Sequence, residues 1–266
     1  MRSVRRYLAV GALVAFGALE LVHAAAMCAM DVRVLLQVLG VAHLAIAVGV
    51  ARRRYWGRLL ALGAGLGALF VFAALASVGA VWLPLGYVAA GLTAALLGRG
   101  MADHMNAGTR DERDVWREEG GWFRPVLTAG VVVSVAAVPT LLILDLMTAR
   151  QGVHGVLLPS GLGAALAVTF VGCSLLLTLR KTAGLLLMFP ASVVASVIAG
   201  RTLLMLYHHD FLFTGAMGAY GTRAALTTAL GGVVSVVALV TAAVCIAFSL
   251  PMYRYLARRT HPANAG

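Results

Sequence analysis

The chain has 266 residues, of which 61% are hydrophobic and only 12% charged, and its mean hydropathy is +0.93. A soluble domain is about 45–50% apolar and about 25% charged, so this composition excludes a water-soluble globular protein and predicts an integral membrane protein. The formal net charge of +11 is also typical of nucleic-acid-binding proteins, so the positions of the basic residues must decide between the two. The three cysteines (Cys28, Cys173 and Cys245) are far apart and indicate neither a disulfide framework nor a cysteine zinc site.

The apolar segments, taken in chain order, predict eight membrane-spanning helices. A span needs about 20 mostly apolar residues, because the hydrocarbon core is about 30 Å thick and a helix rises about 1.5 Å per residue. The predicted spans are 7–27, 32–51, 59–78, 80–98, 125–147, 156–179, 183–207 and 226–250. Only Gly79 separates the third span from the fourth, which predicts a tight hairpin between them.

The basic residues predict the orientation of these spans. With a cytoplasmic N-terminus, 17 of the 21 Lys and Arg residues lie on the inner side, and the outer side carries only Arg33, Arg150 and Arg223. Arg201 lies within the seventh span. This asymmetry predicts a multi-pass protein of a bacterial cytoplasmic (inner) membrane with both termini inside. Because the basic residues form short clusters at span ends, we do not expect nucleic acid as a partner.

The order of the spans predicts a single integral membrane domain, 1–266. Residues 7–98 hold the first four spans, 99–124 a cytoplasmic linker, 125–252 the second four spans and 253–266 a cytoplasmic tail. An alternative interpretation of the N-terminus is a cleaved signal peptide, but Glu20 within the apolar run argues against it. The expected partner is the lipid bilayer. Small-residue spacings such as Gly63–Gly67 are typical of close helix packing within one chain and also permit a homo-oligomer or membrane-complex partners.

The ionisable residues within the spans lie toward the outer face and form the candidate site. Counted from the outer helix ends, Asp145 lies about 5 Å deep, His23 and Arg201 about 9 Å, Glu20 about 13 Å and His43 about 17 Å. A charge at such depth costs about 2.5–3.5 kcal/mol, so we expect these side chains to face the bundle interior. Arg201 would then pair with Glu20 or Asp145, and Glu20, His23 and His43 would form a substrate site or proton relay.

The same region contains a weaker candidate for a metal site. Its possible ligands are Glu20, His23, His208, His209 and Asp210. Neighbouring helical residues point about 100° apart, so the last three cannot all converge unless the helix unwinds. The single ExxH motif is too little for a di-iron site, and the unequal depths of His23 and His43 disfavour a b-type haem. The sequence therefore identifies no cofactor.

Three functions are compatible with these features. The leading hypothesis is coupled transport or passage of a small solute or ion through the polar intramembrane site. The second is a membrane-anchored redox subunit that binds metal, haem or quinol, and the third is a non-catalytic assembly or scaffold subunit. The polar residues could also serve only to order the helices. No nucleotide-binding or hydrolytic motif is present, and the sequence assigns no reaction.

Overall fold

The computed structural model describes residues 2–27, 30–76, 80–105 and 162–179, with further short helical stretches within 130–142 and 183–197. The chain divides into two compact units, Met1–Gly120 and Gly121–Gly266. All regular structure in the described residues is helical, without strands, which confirms the all-α class.

Six α-helices and one short 3-10 turn make up the longer described segments. They are α1 (Arg2–Ala26), α2 (Met30–Ala51), α3 (Tyr55–Ala76), the turn Ala80–Trp82, α4 (Leu83–Leu96), α5 (Arg99–Met105) and α6 (Leu162–Thr178).

Helices α1, α2 and α3 are long and apolar enough to cross a membrane. A fourth span results if Ala80–Leu96 and Arg99–Met105, which meet at a bend of 76°, are taken together. These helices are compatible with a membrane protein. Of the other predicted spans, the sixth contains α6, the fifth and seventh are described only in short stretches, and the eighth lies outside the described residues.

The first unit contains a four-helix arrangement. Helix α1 packs against α2 and α4, and α3 packs against the same two helices. Short connections join successive helices, so neighbours run antiparallel, as in an up-and-down bundle. The buried side chains of α1 include Ala9, Leu13 and Phe16, whose spacing of three and four residues forms one helical face. Val4, Tyr7, Leu8 and Val14 are large apolar residues exposed on the same helix. Such a surface is typical of lipid contact.

Helices α1 and α2 come into close contact at two glycines. A Cβ atom added to Gly17 would lie 2.9 Å from the carbonyl oxygen of Gly40, and one added to Gly40 would lie 3.0 Å from that of Gly17. Without side chains at these positions, the two backbones can approach directly. The crossing point is therefore determined by this pair of glycines.

Tight turns follow α2 and α4 at the arginine-rich end of the first unit. After α2, Arg53 takes a left-handed conformation (φ 55°), and the amide of Arg54 donates to the Gly49 carbonyl at 2.9 Å. These are features of a Schellman motif. After α4, Gly98 has a φ of 99° and allows the chain to turn into α5.

Candidate functional site

Glu20 of α1 and His43 of α2 are in direct contact. The Nδ1–H of His43 donates a hydrogen bond to Oε2 of Glu20 at 2.7 Å. The side chain of His43 is 11% exposed and that of Glu20 is 20% exposed. The structure thus joins two of the predicted site residues across a helix interface.

The glycine crossing explains how these two side chains meet. Glu20 lies three residues beyond Gly17, and His43 lies three residues beyond Gly40, about 4.5 Å of helical rise in each case. Because side chains lean toward the N-terminus of their own helix, those of an antiparallel pair lean toward each other across the crossing. The close approach of the backbones then brings the carboxylate and the imidazole within bonding distance.

His23 does not join this pair. Its side chain is exposed, and its Nδ1–H donates to the carbonyl of Leu19, one turn earlier on the same helix, at 2.8 Å. Of the three residues in the predicted relay, the structure brings Glu20 and His43 together, and His23 bonds to its own helix instead.

The remaining predicted site residues lie outside the described residues. They are Asp145, Arg201, His208, His209 and Asp210. Pairing of Arg201 with Glu20 or Asp145 stays a prediction, as does the metal site. Within the described part of the chain, no three His, Cys, Asp or Glu residues are grouped in a way that could hold a metal ion.

A row of aromatic rings adjoins the pair. The ring centres of Phe16 and His43 are 5.9 Å apart, those of Phe16 and Phe72 are also 5.9 Å apart, and those of Phe72 and Trp82 are 6.5 Å apart. Phe16 gives the imidazole an apolar neighbour, which strengthens its electrostatic interaction with the carboxylate. Phe16 is not among the site residues predicted from the sequence, although its position four residues before Glu20 places both on one face of α1.

The pair can bind one additional proton. An ionised carboxylate hydrogen-bonded to a neutral imidazole has a net charge of −1, and protonation of the second ring nitrogen brings the net charge to zero. The arrangement is thus chemically suited to reversible proton binding.

A second polar cluster occupies the opposite, arginine-rich end of the first unit, where α1 and α3 begin and α2 and α4 end. Arg5 donates to the carbonyls of Ala94 and Leu97 at 2.7 and 2.9 Å. Arg58, which is 6% exposed, donates through Nε–H to the carbonyl of Leu96 at 3.0 Å. The Leu96 and Leu97 carbonyls lie at the end of α4, where the helix provides no further N–H donors, and the positive charges interact favourably with the helix dipole.

No known protein family, curated protein or solved structure matches the chain.

Proposed function

We propose that the chain is an eight-span protein of the cytoplasmic membrane, with both termini inside, that couples the passage of a small solute or ion to proton binding at Glu20 and His43. The number of spans and the orientation are supported by the eight apolar segments and by the 17 basic residues on one side. The hydrogen bond of 2.7 Å between the two side chains is the observation that carries the proton-binding role.

The location of the pair supports this role. Ionisable residues inside membrane spans are rare and commonly belong to ion pathways or proton relays. Glu20 lies in a helix long and apolar enough to cross a membrane, and its side chain remains 20% exposed. The carboxylate is therefore less enclosed than the imidazole of His43, which is 11% exposed.

The proposal is tested by solute-dependent proton movement in proteoliposomes. The full-length protein is reconstituted with an entrapped pH-sensitive dye, and a panel of amino acids, sugars and monovalent cations is added in turn. We expect at least one compound to produce proton flux. Glu20→Gln should abolish this flux while preserving the side-chain shape and an acceptor for the His43 N–H, because an amide cannot ionise.

His23→Gln is the matched control, since this exposed histidine is three residues from Glu20 and bonds only to its own helix. It should retain the flux, whereas His43→Gln should lose it. Flux that survives both Glu20→Gln and His43→Gln would contradict the proposal, as would a wild-type protein that moves no protons with any compound.

The two alternative functions make different predictions for the same purified protein. A redox subunit would show stoichiometric metal by elemental analysis or a haem absorption band. In a scaffold subunit, Glu20 and His43 would affect stability only, and removal of one partner of a buried pair would cost about 3–5 kcal/mol.

A further inference from the structure

The arginine-rich end of the first unit has a large excess of positive charge. Eight arginines and one acidic residue, Asp103 of α5, lie there among the described residues. The arginines are Arg2, Arg5 and Arg6 of α1, Arg52, Arg53 and Arg54 of the turn after α2, Arg58 of α3 and Arg99 of α5. Two of them, Arg5 and Arg58, bind the carbonyls at the end of α4. For the other six arginines, no contact with a helix-end carbonyl in the described part of the chain accounts for the positive charge.

Arg6 is the buried member of this cluster. It is only 5% exposed, and its Cζ atom lies 4.7 Å from the ring centre of Tyr7. Its Nε is buried and has no hydrogen-bond partner. A guanidinium removed from water is costly unless an anion or a set of acceptors compensates it. The position of Arg6 therefore calls for an anionic partner.

A second buried polar group at this end of the first unit is the imidazole of His104 in α5. Its Nε2 is also buried without a hydrogen-bond partner. Desolvation lowers the pKa of His104 below its usual value, and the positive charges of Arg53, Arg6 and Arg2 lower it further. The Arg2 guanidinium also lies 3.2 Å from the position a Cβ would take on Gly100 of α5. Helix α5 packs against α1, so the Arg2 guanidinium, the buried Arg6 and the buried His104 nitrogen belong to the same helix junction.

We propose that Arg2, Arg6, Arg53 and His104 bind the phosphate group of an anionic phospholipid. Guanidinium groups match phosphate oxygens in geometry and form charge-assisted hydrogen bonds with them. Basic pockets between membrane helices are known to accept anionic lipid headgroups. This proposal does not depend on proton-coupled transport at Glu20 and His43.

The apolar surface beside the cations favours a lipid over a free phosphate ion. Val4, Tyr7 and Leu8 belong to the same helical turns of α1 as the arginines, and they are 59%, 63% and 64% exposed. An acyl chain attached to the bound phosphate can cover these side chains, whereas inorganic phosphate cannot. The occupant we assign is therefore a phospholipid with a net negative headgroup, such as phosphatidylglycerol.

The test is a lipid titration of the full-length, delipidated protein in detergent, monitored by native mass spectrometry. We expect phosphatidylglycerol to bind more tightly than phosphatidylcholine. Arg6→Gln and Arg2→Gln should each weaken phosphatidylglycerol binding about tenfold or more, because each removes a charge-assisted contact. Arg33→Gln is the matched control, since this exposed arginine of α2 lies near the opposite end of the bundle. It should leave the affinity unchanged.

A competition arm separates the two sources of phosphate. Inorganic phosphate at the concentration of the lipid should not displace phosphatidylglycerol, and displacement would overturn the lipid assignment in favour of a soluble phosphate. Arg2 is exposed, so Arg2→Gln tests the site even if Arg6→Gln fails to fold. Equal affinity of Arg2→Gln and the wild type for phosphatidylglycerol would overturn the proposal, as would equal affinity of the wild type for the two lipids.

Discussion

Replacement of Gly17 by alanine should separate α1 from α2 and break the contact between Glu20 and His43. The new Cβ would lie 2.9 Å from the Gly40 carbonyl oxygen, and backbone at a helix crossing cannot rotate away as a side chain can. The two helices must therefore shift apart. Since the glutamate and the imidazole meet across this crossing, their hydrogen bond of 2.7 Å should lengthen beyond bonding distance.

The size of the effect follows from three contributions. Overpacking costs about 1–3 kcal/mol, and loss of a hydrogen bond to a charged group costs about 1.5–3 kcal/mol. Alanine recovers about 1 kcal/mol through its higher helix propensity. We expect Gly17→Ala to lower the free energy of unfolding by about 1.5–5 kcal/mol.

Gly11→Ala is a matched control on the same helix. A Cβ at Gly11 meets no atom within 4 Å, so this variant gains helix propensity without a clash. We expect it to be more stable than the wild type by up to about 1 kcal/mol. Reversible unfolding in mixed micelles, followed by far-ultraviolet circular dichroism, measures both variants. If the unfolding free energies of Gly17→Ala and Gly11→Ala agree within about 0.5 kcal/mol, the reasoning from the crossing is refuted.

Two further predictions concern the arginine-rich end of the first unit. Gly98→Ala should destabilise by about 1–3 kcal/mol in the same unfolding assay, because the φ of 99° is strained for any residue with a side chain. Gly91→Ala, which also meets no atom within 4 Å but lies within α4, should not destabilise, and equal behaviour of the two variants would disprove the backbone argument. The lowered pKa of His104 means that the unfolded chain binds a proton first as the pH falls below about 6.5, so the folded state should lose stability there. Unfolding of the wild type and of His104→Gln in phosphate-free buffer should show this loss in the wild type only, and parallel pH profiles would contradict it.

The inward position of Glu20 could be predicted from the sequence of α1. Ala9, Leu13 and Phe16 lie on the buried face, and Glu20 continues it at a spacing of four residues. The cost of a charge in a membrane span also predicts that Glu20 faces the protein. The same arguments do not apply to His23, since a histidine can satisfy its ring N–H on a carbonyl of its own helix, as His23 does with Leu19. The prediction that His23 belongs to the same site as Glu20 rested only on their spacing of three residues.

For the arginines too, the sequence predicts one property and the structure is needed for another. Their number and their positions at helix ends predict the orientation of the spans, because the positive-inside rule depends only on charge and chain position. The contacts of each arginine are known only from the folded structure. Arg5 and Arg58 bind the end of α4, more than thirty residues away along the chain in each case, while Arg6 is buried on α1, which packs against α5.

The sequence by itself determined the class of the protein, since 61% hydrophobic content, 12% charge and long apolar segments are incompatible with a water-soluble surface. It also identified Glu20 and His43 as residues whose presence in an apolar helix needs an explanation. Only the tertiary structure decided that they are partners. Their contact depends on which helices are neighbours and on the register of α1 against α2, which is determined by the crossing at Gly17 and Gly40. Periodicity within a helix reports which face is buried, but it contains no information about the residue that this face will meet.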